Sequence, residues 1–108
     1  MQSSSHAPRY RMRDYVSTCL RTLQSRLEAQ GVRHVAVFGS VARGDDGVDS
    51  DVDLVLDLDP AANVDLLELA SIHEMLTLEL RRSVDIMTRR VLRPDRHADI
   101  FEDLYEVF

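Results

Sequence analysis

A Gly-Ser pair and two aspartates are the residues whose types and spacing could perform chemistry in this chain. Gly39 and Ser40 are followed by ten residues and then by Asp51 and Asp53, which lie two apart in an apolar run. In a strand, residues two apart share a face, so the two carboxylates repel each other and one would tend to take up a proton. A divalent cation would keep both ionised. Hard cations such as magnesium are commonly held by one or two carboxylates together with substrate phosphates.

The Gly-Ser pair has the properties of a phosphate cradle. Gly39 allows the backbone to approach a ligand closely and can adopt a positive φ. Ser40 offers a hydroxyl and a backbone N–H at the start of a helical turn, where anions are favoured. A phosphate cradle beside a metal-binding aspartate pair indicates chemistry on a nucleotide. Arg43 could contact a phosphate, neutralise the acidic loop that follows it, or remain solvated, and the sequence leaves these alternatives open.

A third carboxylate, Asp85, lies in a short apolar stretch that is predicted to be a strand. A strand, a long helix and a second strand form a crossover unit, which would place the third strand beside or near the second. Asp85 could then converge with Asp51 and Asp53, giving three carboxylates that suffice for two metal ions bridged by a nucleotide. The alternative is an edge strand with Asp85 in solvent, because burying an unpaired aspartate is expensive.

The apolar spacing predicts a chain that contains both helices and strands. Residues 1–8 are predicted to be a disordered tail, and residues 9–108 to be a single domain. Val52, Leu54, Leu56 and Leu58 should form the buried face of the second strand, which fixes its register. The predicted elements are a helix over 9–30, a strand over 32–38, a strand from about 50, a helix over 63–81, a strand over 83–88 and a helix from Pro94 nearly to the C-terminus.

The second long helix should be capped by Asn63. Its expected core stripe consists of Leu66, Leu69, Ala70, His73, Leu76 and Leu80, with Leu67 and Met75 widening it. The last helix carries more large apolar residues than one narrow stripe needs. Some of them could therefore face a partner, although packing of the final helix against its own domain is the simpler account.

Charge composition excludes several function classes. The net charge is −6, and seven aspartates lie between Asp45 and Asp59, which argues against general nucleic-acid binding. All thirteen basic residues are arginine. The absence of lysine excludes a covalent lysine intermediate and a Walker A phosphate loop. The predicted third strand is flanked by arginines that could bind triphosphate or an acidic partner, or form a solvated basic face: Arg81, Arg82, Arg89, Arg90, Arg93 and Arg96.

The remaining sequence features point to a cytoplasmic protein. No apolar run is long enough to span a bilayer, and the first ten residues lack a signal-peptide pattern. Cys19 is the only cysteine, so no internal disulfide can form, which fits a reducing compartment. A calcium loop starting at Asp49 is excluded, because Leu54 stands where glycine is required and Pro60 where the bidentate glutamate belongs.

At the Gly-Ser pair and the aspartates that follow it, the chain resembles the nucleotidyltransferase superfamily related to DNA polymerase β. It most resembles the minimal nucleotidyltransferases of the MNT type. The family motif is Gly-Ser, ten residues and Asp-x-Asp, often with Ala-Arg-Gly after Gly-Ser and Ser-Asp before the strand. This chain has Gly39-Ser40-Val41-Ala42-Arg43-Gly44 and Ser50-Asp51-Val52-Asp53-Leu54. The resemblance covers roughly residues 32–90, and the family's third carboxylate corresponds to Asp85.

The resemblance implies a mixed α/β fold, with a short mixed sheet of three or more strands packed by helices. It also implies metal-dependent transfer of a nucleoside monophosphate from a triphosphate to a hydroxyl. Asp51 and Asp53 would hold two magnesium ions, Asp85 would complete the metal site and help to activate the acceptor, and Gly39 and Ser40 would grip the outgoing phosphates. Family members of this size are typically antitoxins paired with a helical HEPN ribonuclease toxin. The resemblance therefore implies transfer of AMP from ATP to a tyrosine of such a toxin, in a hetero-oligomer with it.

Two alternative functions stay open. The chain could be an antitoxin that neutralises a HEPN toxin by binding alone, although such a binder would not need three costly aspartates. It could also be a small-molecule nucleotidyltransferase, such as an antibiotic-modifying enzyme. Those enzymes usually carry an additional helical domain, which a partner would have to supply here.

Overall fold

A four-stranded mixed sheet forms the centre of the computed structural model, which describes residues 10–108. Its strands are β1 (Val32–Phe38), β2 (Val52–Leu58), β3 (Val84–Thr88) and β4 (Tyr105–Glu106). They lie in the order β3-β2-β1-β4. The β1–β2 and β1–β4 pairs are antiparallel, whereas β2 and β3 are parallel. The predicted mixed α/β fold is confirmed, and the tail predicted over residues 1–8 lies outside the described residues.

The central strand β2 has the predicted buried face. Val52, Leu54 and Leu56 are fully buried, and Leu58 packs against the same core. Val55, on the opposite face, is also fully buried in a second, smaller cluster. The sheet is therefore covered on both faces at its middle, as is typical of strands that pair in parallel. This second cluster consists of Ala36, Val55 and Leu92, with Phe38, Met87, Ile100 and Leu104 packed against it.

Two helices precede β1 where the sequence predicts one over residues 9–30. They are α1 (Arg11–Thr22) and α2 (Gln24–Ala29), separated at Leu23, whose backbone N–H is shared between the carbonyls of Cys19 and Leu20. The interruption does not disturb the buried stripe, because Leu23 is itself buried. Gly31, with a φ of +96°, then turns the chain into β1.

The crossover from β2 to β3 begins later than the sequence predicts. The five-residue helix that follows β1 is α3 (Gly39–Arg43). After β2 comes a short 3-10 turn (Pro60–Ala62), and then the helix α4 (Leu66–Leu80). Asp65 is the N-cap, and it forms a reciprocal capping box with Glu68. The predicted cap Asn63 is wrong: it has a left-handed φ of 50° at the end of the 3-10 turn.

The predicted core stripe of α4 is correct at Leu69, Met75, Leu76 and Leu80 and wrong at its other members. The fully buried residues are Ile72, Leu76 and Leu80, and Leu69 and Met75 are partly buried beside them. The side chains of Leu66 and Leu67 are instead 81% and 82% exposed. Ala70 and His73 are exposed as well. Leucines lie on several sides of this helix, so periodicity alone does not specify which side meets the sheet.

The helix predicted from Pro94 to the C-terminus is wrong. The helix α5 (Ala98–Asp103) is short, and the chain then becomes extended at Leu104 and enters β4. Val107 donates a hydrogen bond to the carbonyl of Val35 at 2.8 Å. Strand alternation explains why the C-terminal segment carries so many apolar residues, because its side chains reach both faces of the sheet. Leu104 packs in the smaller cluster, whereas Tyr105 and Val107 pack in the larger one. No helix within residues 10–108 is long and apolar enough to cross a bilayer.

Candidate active site

The Gly-Ser turn places the backbone directly against Asp53. Strand β1 ends at Phe38, and α3 (Gly39–Arg43) begins at once. Gly39 has a φ of +74°, and a Cβ built on it would collide with the Oδ2 atom of Asp53. A side chain at this position is therefore excluded both by the backbone conformation and by the carboxylate. The glycine predicted from the motif has a defined purpose here, which is to let the turn touch the acid.

Ser40 is held in place by the buried residues that follow it. Val41 and Ala42 are buried in the larger core cluster and fix α3 against it. Gly44, with a φ of +81°, ends the helix, and the N–H groups of Gly44 and Asp45 both donate to the Ser40 carbonyl at 2.9 and 3.0 Å. The half-buried Ser40 side chain therefore stands on a rigid turn beside the acids.

The parallel pairing of β2 and β3 brings two of the predicted acids together. Asp53 is the register partner of Asp85, and the N–H of Val52 donates to the carbonyl of Ser83 at 2.9 Å. On the other side, Asp53 is the register partner of Phe38, at the end of β1. Asp53 therefore lies between the Gly-Ser turn and Asp85. Asp51, one residue before β2, and Asp85 are both exposed.

Asp53 is the carboxylate on which the other two acids act. The pKa of Asp53 is raised above its ordinary value, first by burial and then by the negative charges of Asp85 and Asp51. Arg43 opposes this rise only in part. A carboxylate surrounded by like charge is destabilised as an anion, so this corner of the molecule would gain from a bound cation.

The donor set fits a magnesium ion that is completed by a substrate. Among residues 10–108, no three His, Cys, Asp or Glu side chains are arranged closely enough to enclose a metal ion by themselves. Magnesium keeps several waters and is usually bound by one or two carboxylates plus substrate phosphates. The half-buried Asp53 and its exposed neighbours can supply the carboxylates. The assignment of Asp51, Asp53 and Asp85 as ligands of two ions stays a prediction.

Arg43 is engaged by two carboxylates at the rim of the site. Its guanidinium contacts Asp103 of α5 at 2.6 Å and Asp45 at 3.2 Å, and these hydrogen bonds raise the pKa of Arg43. The sequence offers no local signal for the Asp103 contact, because the two residues are 60 positions apart. Contact of Arg43 with a nucleotide stays a prediction, since a phosphate would have to compete with Asp103.

Not all of the arginines that flank β3 lie near these acids. Arg89 and Arg90 line a cavity of about 520 Å³ at the opposite end of β2, together with Arg33 and Asp57. Arg89 also pairs with Glu106 at 3.0 Å. Arg82, by contrast, lies at the acidic end and lines a cavity of about 260 Å³. That cavity is formed by Val48, Asp49, Ser50, Asp51, Arg81, Arg82 and Ser83.

Comparison with known proteins identifies the family. The family model for the nucleotidyltransferase domain matches residues 16–106. The chain is a member of the nucleotidyltransferase domain family. Its matched region contains the Gly-Ser turn and the three aspartates Asp51, Asp53 and Asp85.

Individual relatives place the domain among the minimal nucleotidyltransferases. A solved structure of a minimal nucleotidyltransferase is 30% identical, with a TM-score of 0.68, and the match covers 94% of this chain and 98% of that one. The protein adenylyltransferase MntA of Thermococcus cleftensis is 36% identical over 66 residues, which cover 61% of this chain and 65% of the relative. That match therefore spans less than two thirds of the relative's length.

A more distant solved structure shares the fold. It contains the tri-AMPylated HEPN toxin of Shewanella oneidensis in complex with its MNT antitoxin. The matched chain is 14% identical with a TM-score of 0.60, and the alignment covers 86% of this chain and 71% of that one.

Proposed function

We propose that this nucleotidyltransferase domain is the antitoxin of a toxin–antitoxin pair and transfers AMP from ATP to a tyrosine hydroxyl of a HEPN-type toxin. The observation that carries the proposal is the position of Asp53, between the Gly39 backbone and Asp85. A destabilised carboxylate next to a glycine turn is suited to hold a cation and a triphosphate at once.

The residues of this chain divide the work of the transfer. The acceptor oxygen forms a bond to the α-phosphorus of ATP, and the bond to the pyrophosphate group breaks. Asp51 and Asp53 would hold magnesium, which when bound stabilises the attacking and leaving oxygens. Asp85, the exposed register partner of Asp53, would accept the phenol proton. Gly39 and Ser40 would present the start of α3 to the outgoing phosphates.

The named relatives support a protein acceptor, in preference to a small molecule. A relative of this chain is named a protein adenylyltransferase, and a structural neighbour is an antitoxin bound to its AMPylated HEPN toxin. A protein acceptor also fits the exposure of Asp51 and Asp85, because a large substrate can reach them without an enclosing pocket. The net charge of −6 favours a partner with basic surface.

The test incubates this protein with labelled ATP, magnesium and the product of the neighbouring gene. Wild type should transfer label to a tyrosine of that protein, and omission of the divalent cation should abolish the transfer. Asp51→Asn and Asp53→Asn should each reduce labelling by about 100-fold or more, since each removes a charge from the metal site. Mass spectrometry of the labelled peptide identifies the acceptor residue.

Different outcomes distinguish the alternatives. A variant that carries both Asp51→Asn and Asp53→Asn tests for binding alone. If this double variant still neutralises the toxin, and neither it nor wild type transfers label, the chain acts by binding alone. Label on an aminoglycoside-type small molecule, in place of the protein, would indicate the antibiotic-modifying activity. Matched samples containing Asp57→Asn, an aspartate of the same strand at its other end, control for the loss of one negative charge.

A further inference from the structure

One arginine reaches across the acidic end of the sheet and hydrogen-bonds backbone carbonyls there. The Nη2 atom of Arg82 donates to the carbonyl of Ser50 at 2.8 Å, in a partly buried contact, and lies 3.4 Å from the carbonyl of Val48. These acceptors are 32 and 34 positions away in sequence. Arg82 lies two residues before the start of β3, whereas Ser50 immediately precedes Asp51.

The loop that Arg82 contacts has a defined internal structure. The N–H of Gly47 donates to the Ser50 hydroxyl at 2.7 Å, and the N–H of Ser50 donates to the Gly47 carbonyl at 3.2 Å. Val48 at its tip is 91% exposed, so packing of that side chain contributes little to holding the loop. Contacts such as those from Arg82 must therefore limit its motion.

We infer that Arg82 is a positioning residue for the proposed transfer, and that it acts by fixing the loop that carries Asp51. This inference rests on the proposed function, because it assigns Asp51 to the metal site. One side chain joins the segment before β3 to the segment before β2, so Asp51 is held in register with Asp53 and Asp85. Freeing the loop would let Asp51 move away, which relieves the repulsion among the acids but weakens their hold on a cation.

A guanidinium is well suited to this position. It presents several N–H donors on one planar group, and backbone carbonyls accept them without adding charge to the acidic end. A direct contact of Arg82 with phosphate is the competing role. The two roles differ in their consequences, since a positioning residue alters metal binding and loop motion, whereas a phosphate ligand alters affinity for ATP.

Loop motion is measured first, because it does not depend on any activity. Hydrogen exchange of residues 46–52 is compared in wild type, Arg82→Met, Arg82→Lys and the control Arg21→Gln, an exposed arginine on α1. We expect exchange in this segment to accelerate about five- to tenfold in Arg82→Met, as for the loss of one or two hydrogen bonds. Arg82→Lys should recover part of the protection, and Arg21→Gln should match wild type.

Binding and turnover provide the second readout. Binding of Mn²⁺ alone should weaken about five- to tenfold in Arg82→Met, while the KM for ATP stays within about twofold of wild type and kcat falls. Unchanged exchange in Arg82→Met would overturn the inference, and so would a raised KM for ATP with Mn²⁺ binding intact. If Asp53→Asn retained full activity, the proposed function would fail while the exchange result stood independently.

Discussion

The two ends of β2 carry the same residue type in opposite electrostatic settings. At the amino end, Asp53 faces Asp85 and Asp51, and its pKa is raised by burial and by their charges. At the carboxyl end, Asp57 lies 3.7 Å from the guanidinium of Arg33. Asp59, just beyond the strand, accepts a hydrogen bond from the N–H of Ala61 at 3.0 Å.

This difference separates a site for chemistry from a site for structure. The acids at the carboxyl end have partners within the chain, so they need nothing from outside. The acids at the amino end repel one another, and the nearby cation Arg43 is shared with Asp45 and Asp103. Uncompensated charge of this kind is retained where a ligand compensates it, which is why perturbed carboxylates mark functional sites.

The largest expected effect comes from removing the charge of Asp53. Asp53→Asn should lower labelling of the partner by about 100-fold or more, because the amide binds magnesium poorly. Its melting temperature should equal or exceed that of wild type, since the repulsion with Asp85 and Asp51 is gone. Enzyme assays and thermal unfolding measure the two effects in the same preparation.

The matched substitution at the other end is Asp57→Asn. It breaks a partly exposed ion pair, so we expect a loss of about 0–1 kcal/mol in the free energy of unfolding and activity within about twofold of wild type. If both substitutions reduced activity equally, the comparison between the two ends would be wrong.

The next effect concerns the glycine that touches Asp53. Gly39→Ala should cost about 1–2 kcal/mol from the positive φ alone, and its Cβ would also displace the Asp53 carboxylate. We therefore expect both the free energy of unfolding and the activity to fall, whereas Asp53→Asn lowers only the activity. Gly47→Ala is the control, because its Cβ would meet only the Ser50 hydroxyl at 3.9 Å.

A smaller effect is expected from pH. Because the pKa of Asp53 is higher in the folded protein than its ordinary value, the folded state binds the proton more tightly than the unfolded state. The contribution of Asp53 to stability is therefore most favourable at low pH and is lost as pH rises through the interval between the two pKa values. Comparing wild type with Asp53→Asn across pH 3–7, by about half-unit steps, isolates this term.

Divalent cations should shift the pH dependence of the activity, because the same carboxylate would have to be ionised to bind them. A bound cation favours the ionised carboxylate, so magnesium should move the acid limb of wild-type activity to lower pH as its concentration increases. An acid limb that is independent of magnesium would contradict the assignment of Asp53 to the metal site.

The smallest expected effect involves the partner of Arg43. Asp103→Asn removes one side of a contact between α3 and α5 that is partly exposed, so the free energy of unfolding should fall by only about 0–1 kcal/mol. If Arg43 binds phosphate, the freed guanidinium should lower the KM for ATP. An increased KM would show that Asp103 orients Arg43 for that task.

The sequence predicted the parts of this molecule that local patterns specify. The turn at Gly39 and the buried face of β2 follow from residue spacing and strand alternation, and they are confirmed. The sequence left open whether Asp85 would lie beside the other acids or in solvent on an edge strand. In the structure it is the register partner of Asp53, on the edge strand β3 and with its side chain exposed. The cap of α4 was wrong because Asp65 and Glu68 form a local capping box, a signal that the assignment to Asn63 did not use. The core stripe of α4 was only partly right because leucines surround that helix, so several phases bury similar apolar area, and Ile72 was missed.

Long-range contacts were the other limit. The pairing of β4 with β1 depends on residues about 70 positions apart, and two residues of hydrogen-bonded strand give too weak a pattern to distinguish from a helix end. The Arg43–Asp103 pair and the Arg82–Ser50 contact are likewise invisible in sequence. Each joins segments that meet only after the sheet has formed.

The parallel pairing of β2 and β3 has a consequence for how the protein reaches its native state. Asp53 and Asp85 are separated by the whole α4 crossover, and closing so long a connection is slow compared with forming the antiparallel β1–β2 pair. A newly made chain can therefore assemble its first two strands well before its acids meet. Competence for the proposed metal-dependent transfer should thus arrive late in folding, when the crossover closes.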